Sequence, residues 1–206
     1  MKSFIIACAI IVICSGQSTQ TVNGVTVDNA LNRRMLDKHN ELRGVAARAG
    51  LNDGAGSTTQ PKATYMNELH FDPALAALAQ NYLDAQKAKV DAGDSSFCSI
   101  TKFGHNGNRV TEFQSTYKSS ATFSWDTQTL SIGENILEAT RDTCYTTDAQ
   151  AAIQAESGWW DEYEVYNYNS NSCSPNSEHT SCGHYTQMVW ADTRYVGCGS
   201  ITCTNS

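Results

Sequence analysis

No apolar run in this chain is long enough to cross a bilayer as a helix. The longest, Phe4 to Ile13, holds ten residues, against the roughly 20 that a spanning helix needs. Positive charge is scarce as well, with 14 lysines and arginines against 21 acidic residues. An acidic surface repels phosphate backbones and anionic headgroups, so nucleic acid and bulk acidic membrane are poor candidates as partners. Local catalytic and metal motifs are missing too. The sequence has no G-x-S-x-G, no H-E-x-x-H and no C-x-x-C, which argues against a nucleophile elbow, a helical zinc-protease site and a zinc-thiolate knuckle. Ser115-Thr116-Tyr117-Lys118 fits S-x-x-K only within a polar loop.

What is there begins with a leader. Lys2 supplies a positive start, Phe4 to Ile13 an apolar centre, and Cys14-Ser15-Gly16 a small-residue end. That layout predicts a signal peptide over 1–16, cleaved close to Gly16, and a secreted, extracellular protein without a transmembrane anchor. About 190 residues then remain, enough for one domain with a sizeable core. The mature chain carries 21 acidic and 13 basic residues, with no block of like charge. Six cysteines survive cleavage: Cys98, Cys144, Cys173, Cys182, Cys198 and Cys203. An even number in an exported chain reads as a disulfide framework. Six cysteines allow 15 pairings, and spacing does not choose among them.

Residues 17–27 are polar and read as a loose N-terminal arm, with one domain over 28–206. A helix fits Asp28 to Ala49, with Asp28 as cap, Leu31, Met35, Leu42 and Val45 at helical spacing, and Gly50 as stop. Asp72-Pro73 is a second helix start, ahead of Ala74 to Ala88. A third helix fits Asp148 to Glu164, with Ile153 and Trp160 inward. His184 to Asp192 and Tyr195 to Thr202 are rich in apolar and β-branched residues, and suggest two strands of a hairpin. Helices come early and strands late, without a βαβ rhythm, so the fold class is α+β. There is no internal repeat and no linker to a second domain.

The most specific segment is Gly183-His184-Tyr185-Thr186-Gln187-Met188-Val189-Trp190. It resembles the G-H-[FYW]-T-Q-[LIVM]-V-W signature of the CAP superfamily, the cysteine-rich secretory, antigen 5 and pathogenesis-related proteins. Three further segments resemble that family's elements in its order. They are His39-Asn40-Glu41-Leu42-Arg43 in the opening helix, Gly133-Glu134-Asn135-Ile136, and Trp159-Trp160-Asp161-Glu162 followed by Tyr166-Asn167-Tyr168. Gly104-His105-Asn106 stands where members carry a histidine loop, and Tyr195-Val196-Gly197-Cys198-Gly199 resembles the next strand. One element departs from the pattern. The second signature, C-N-Y-x-P-x-G-N, would follow the Cys198 strand, and the sequence reaches Ser206 without it, so the domain is expected to lack its usual last strand.

The resemblance implies a disulfide-stabilised, three-layer α-β-α sandwich with a small antiparallel sheet. It implies pairing of Cys98 with Cys203 and of Cys173 with Cys182, leaving Cys144 and Cys198 open. It implies that His105, Glu134, Glu162 and His184 share a cleft and ligate a divalent ion such as Zn²⁺ weakly, a set of neutral imidazoles and carboxylates that suits that ion. No catalytic residue and no organic cofactor is expected. His39 reads as a core histidine, not a ligand. Tyr163, Tyr166 and Tyr168 lie where sterol-binding members have a tyrosine-rich loop, but Asn171-Ser172-Cys173-Ser174-Pro175 replaces its aromatic end. Those tyrosines are therefore expected to cover the third helix with their polar tips in water. The leading expectation is a secreted, non-enzymatic module acting on an extracellular protein or lipid, in a venom-allergen-like, immune-modulating or defence role. The alternatives are a metal-dependent or His/Glu-based hydrolase and a sterol or lipid carrier.

Overall fold

The structure, a computed structural model, describes the backbone of residues 3–10 and residues 18–48, 51, 59–94, 102, 104–124, 130–138 and 158–201 in full. Cys98, Cys144 and Cys203 lie outside the described residues, as does the expected third helix up to residue 157. Its C-terminal end is a tight turn of 3₁₀ helix, Asp161–Val165.

Two aspartates start the two long helices. Asp28 Oδ1 accepts from the Leu31 amide at 2.9 Å, and α1 runs Asn29–Arg48. Asp72 Oδ1 accepts from the Ala74 and Leu75 amides at 3.0 Å, Pro73 fills the first helical position, and α2 runs Pro73–Asp91. Capping of this kind satisfies amides that have no partner within the helix. Asp72 Oδ2 also holds Thr122 through its amide and hydroxyl, both at 2.7 Å.

The stretch expected as a loose arm is instead a hairpin. Strands β2 (Thr19–Val22) and β3 (Val25–Asp28) pair antiparallel, turned by Asn23-Gly24 at φ 49° and 82°. An Asn-Gly pair is the strongest short hairpin signal because both turn residues need positive φ. Val22 and Val27 bury themselves against Leu75, Leu78 and Phe113, which no polar tail would do.

The main sheet has four strands in the order β4 (His70–Phe71), β8 (Thr193–Ser200), β1 (Ser3–Ile10) and β5 (Leu130–Leu137). Every pair in it is parallel. Among the described residues, the expected antiparallel character is confined to β2–β3 and to the short pair β6 (Tyr166–Asn167) and β7 (Ser172–Cys173). Sheet neighbours far apart in sequence need crossovers, which permit parallel pairing, whereas only adjacent strands close hairpins.

Alternation along β8 gives it two different faces. A Cβ at Gly197 would sit 2.2 Å from the Ala76 amide nitrogen, and one at Gly199 would sit 2.5 Å from that of Gln80. Side chains are therefore excluded where α2 crosses the strand. Val196 and Cys198 point the other way, into a core with Leu31, Met35 and Leu42 of α1 and with Trp159. A helix thus packs on each face of β8.

The expected strand at His184 to Asp192 is a helix. The structure has α4 over Gly183–Met188 (after the four-residue α3, Arg109–Glu112), followed by a turn into β8. Its local sequence favours extension, but the Glu162 carboxylate accepts the His184 amide at 2.8 Å and the Tyr185 amide at 3.1 Å. Tertiary contact overrides propensity. The expected Cys173–Cys182 disulfide is present, and Cys198 is a buried free thiol among the described residues.

Candidate functional site

Glu134 projects from β5 with 5% of its side chain exposed. Its Oε2 accepts from His105 Nδ1 at 2.8 Å and from the Asn106 amide at 3.0 Å. The histidine reaches it through a turn at Gly104, where φ is 57°, and Tyr82 of α2 pins that turn by donating to the Gly104 carbonyl at 2.9 Å. Asn106 Nδ2 donates to Glu112 of α3 at 3.0 Å, fixing the far side of the loop. Burial pushes the Tyr82 phenol up to about 12, with the Glu134 and Glu112 charges adding to it, so it stays a donor at any physiological pH. The imidazole of His105 is 56% exposed.

The second pair is built on α4. His184 Nδ1 lies 2.7 Å from Glu162 Oε1, and the ring stacks on Trp159 at 6.0 Å between centroids and 23° between planes. Trp159 is fixed by its own donation to the Ile136 carbonyl of β5 at 3.1 Å. Gly133 lets α4 approach, since a Cβ there would fall 1.9 Å from Gln187 Oε1.

The four expected residues therefore come together as two pairs, His105 with Glu134 and His184 with Glu162. Strand β5 links them: Glu134 holds His105, while Asn135 Nδ2, one residue on, donates to the His184 carbonyl at 3.0 Å. In each pair the carboxylate takes Nδ1, so the neutral ring keeps its lone pair on Nε2. Among the described residues, no three of His, Cys, Asp and Glu gather into a ready-made metal cluster. In each pair an oriented imidazole stands with a carboxylate behind it, an arrangement also found around metal-bound histidine.

A third pair carries no sequence signal. Buried His179 places Nε2 3.4 Å from Asp161 Oδ2; neither residue belongs to a periodic pattern, and His179 lies in the loop that the Cys173–Cys182 disulfide closes. His39 behaves as expected of a core histidine. It is fully buried, its Nδ1 lies 2.7 Å from the Met35 carbonyl, and burial lowers it to about 4, with nearby Arg43 pulling the same way.

Beside this region lies a cavity of about 400 Å³ whose walls include Gln60, Tyr65, Tyr166, Tyr168, Tyr185 and Trp190. Tyr65, Tyr168 and Trp190 are the large apolar side chains most exposed among the described residues, and all three line it. Buried Tyr185 donates to Gln60 Oε1 at 2.5 Å, while buried Gln60 Nε2 has no partner among the described residues. The tyrosines expected to lie over the third helix divide. Tyr163 and Tyr166 pack around Tyr185 at 6.3 and 5.7 Å, and only Tyr168 is left with its ring largely in solvent. Sequence reasoning missed the cavity because Gln60 and Tyr65 sit in a stretch without period.

Residues 36–206 match the family model described as the cysteine-rich secretory protein family, CAP. A venom allergen 5 of Vespa velutina is 30% identical over 186 residues, covering 90% of this chain and 72% of that protein. Peptidase inhibitor 16 of Mus musculus is 28% identical over 169 residues, 82% of this chain and 22% of that protein. The pathogenesis-related protein PR-1 of Medicago truncatula is 50% identical over 52 residues, 25% of this chain and 28% of its own length.

Proposed function

Because the chain belongs to the cysteine-rich secretory protein (CAP) family, we propose that it is a secreted, non-enzymatic binding module acting outside the cell on a protein or lipid partner. Its setting is venom- or allergen-like, immune-modulating or defensive. The leader over 1–16 is removed near Gly16, and residues 28–206 form the family's three-layer sandwich, a reading supported by the helix on each face of β8. None of the three relatives named above is named for an enzymatic activity. No helix among the described residues is long and apolar enough to cross a membrane.

The observation that carries this reading is the pairing within the site. Each imidazole spends Nδ1 on a carboxylate, and among the described residues neither ring is hydrogen-bonded to a serine, threonine or cysteine. A hydrolase of the nucleophilic kind needs that contact. His105 and His184 instead suit weak coordination of a divalent ion such as Zn²⁺ through Nε2, with Glu134 and Glu162 orienting them. When bound, such an ion supplies a Lewis acid and an anchor for a partner's oxygen. The test is incubation of the purified secreted protein with a mixed peptide library, with and without zinc. No cleavage is expected; cleavage that disappears in His184→Ala would overturn the non-enzymatic reading.

The cavity favours a second reading, carriage of a lipid. Its volume falls in the range of small-molecule sites, and aromatic walls with one unmet amide donor suit an apolar body carrying one acceptor. Labelled sterol and labelled fatty acid should bind the protein, and a Tyr65→Ser, Trp190→Ala double variant should bind at least about tenfold more weakly. Equal binding by the variant would exclude the cavity.

A further inference from the structure

The cavity beside Tyr185 has two walls, and the fold holds both in place. One is the β6–β7 hairpin, which contributes Tyr166, Tyr168 and Asn171. The Cys173–Cys182 disulfide ties this hairpin to the residue that precedes α4. Asn171, at φ 49°, accepts from the Tyr166 hydroxyl at 3.1 Å. The other wall is the segment 60–66 with Val189 and Trp190, just past α4. Asn67 fastens its two parts together, donating to the Ala191 carbonyl from its amide at 3.1 Å and from Nδ2 at 3.0 Å. Walls set in advance lower the ordering cost of binding.

Exposure decides the shape of what fits. Tyr65, Tyr168 and Trp190 are 55%, 48% and 44% exposed, so the mouth is wide and aromatic, and a body seated there keeps one side in water. Small-molecule pockets cover about 70–90% of their ligand's surface, and a sterol or acyl chain lying here would leave its outer face wet. A polyproline II segment is suited to such a groove. It lays prolines on aromatic rings and keeps its far side solvated.

Hydrogen bonding points the same way. Gln60 is 7% exposed, and of the buried side-chain atoms on these walls its Nε2 alone has no partner among the described residues. The tyrosine hydroxyls already donate elsewhere: Tyr65 to Asp192, Tyr166 to Asn171 and Tyr185 to Gln60. The unmet need is therefore for an acceptor. A proline-rich segment offers carbonyls without the N–H groups that would need acceptors in return. A saccharide brings a donor with every hydroxyl, and the carboxylate nearest the rings, Asp192, is already engaged by Tyr65. Charge adds a preference. Lys62 is the one charged side chain on the described walls, and it forms no ion pair among the described residues, so an acidic residue in the ligand is favoured.

We propose that this cavity is a docking groove for a proline-rich segment of an extracellular protein partner, held in the polyproline II conformation. Its prolines lie against Tyr65, Tyr168 and Trp190, one carbonyl accepts from Gln60 Nε2, and an acidic residue sits near Lys62. The inference names a partner chemistry for the binding-module reading and rests on it.

The experiment uses the purified, secreted protein and a fluorescein-labelled peptide, PPPEPPP, read by anisotropy. Saturable binding is expected, weakened at least about tenfold when every proline is replaced by alanine. Replacing the glutamate by lysine should weaken it by about threefold or more, and less so in high salt. In the protein, Trp190→Ala should weaken binding at least about tenfold. Gln60→Glu, which keeps an acceptor for Tyr185 and loses the donor, should do the same. Hydroxyl-radical footprinting gives a readout that needs no variant: the peptide should protect Tyr65, Tyr168 and Trp190 from oxidation. No binding up to about 1 mM peptide, a range that covers weak peptide docking, overturns the inference. So does equal binding of the alanine peptide, or protection that misses the three rings. Protection of those rings by cholesterol, palmitate or chitohexaose but not by the peptide gives the groove to a lipid or a sugar, and overturns it as well. Each of these results leaves the binding-module reading standing, because that reading fails on cleavage of the peptide library.

Discussion

Glu162 does two jobs with one carboxylate: Oε1 lies 2.7 Å from His184 Nδ1, and Oε2 accepts the amides of His184 and Tyr185. The first contact orients the imidazole. The second starts α4 and favours a negative charge at its N-terminus. The site's geometry and the local fold therefore fail together. Glu162→Gln keeps the shape but removes the charge, and its NH2 can meet His184 Nδ1 only if the ring changes tautomer. It should lower stability by about 2–3 kcal/mol, in the range for a buried charge-assisted hydrogen bond, read by denaturant unfolding. An unchanged midpoint would show that the contact is incidental.

Arg43 ties α1 to the segments flanking the site. Its guanidinium donates to the carbonyls of Asn67 at 2.6 Å, Met188 at 2.8 Å and Trp190 at 2.9 Å. Burial lowers it to about 10, still charged at neutral pH. Lysine carries the charge but not the planar fork, so Arg43→Lys should strand at least one buried carbonyl and cost about 2–3 kcal/mol. Thermal unfolding of the two proteins measures it.

His39 gives the fold a defined acid sensitivity. Its folded value of about 4 lies below the ordinary 6.5, so below pH 6.5 the unfolded chain binds a proton that the folded chain refuses. Its contribution to stability is complete above pH 6.5 and is lost progressively as pH falls toward 4, about 3 kcal/mol in all. Denaturant midpoints of wild type and His39→Leu, compared from pH 7.5 to pH 4.5, should converge as pH falls. A constant gap would contradict the assignment.

Gly197→Ala tests how tightly β8 meets α2. The added Cβ would lie 2.2 Å from the Ala76 amide nitrogen and 2.6 Å from the Leu75 carbonyl carbon, backbone atoms that cannot rotate away. A loss of about 3 kcal/mol or more is expected from overpacking of this kind, seen as a lower melting temperature or loss of soluble protein. Alanine at Gly107, where nothing lies within 4 Å of the added atom, is the tolerant control.

The sequence made legible what is written in short range. Asp28, Asp72 and Pro73 announce two helices, and those begin within a residue of expectation. The Asn23-Gly24 turn has an equally clear local signature, set among polar residues. Segment 183–190 reads as extended and becomes a helix only because Glu162, some twenty residues upstream, caps it. The parallel order of the main sheet has no local signature at all, because register between distant strands is decided by the helices crossing them. At the site, residue identities followed from the resemblance, but their division into two pairs did not. Which atoms of Glu134 and Glu162 face Nδ1 is a property of β5 and α4, not of spacing.

The central claim is that His105 and His184, each held by its glutamate, present Nε2 to a divalent ion. The direct measurement is titration calorimetry with zinc at pH 7.5 and pH 5.5, on wild type and a His105→Ala, His184→Ala double variant. A protonated imidazole cannot coordinate, so protons compete with the metal as pH falls. The account predicts weak binding at pH 7.5 that falls at least about tenfold at pH 5.5 and is absent from the double variant. Equal affinity at the two pH values, or in the variant, would contradict it.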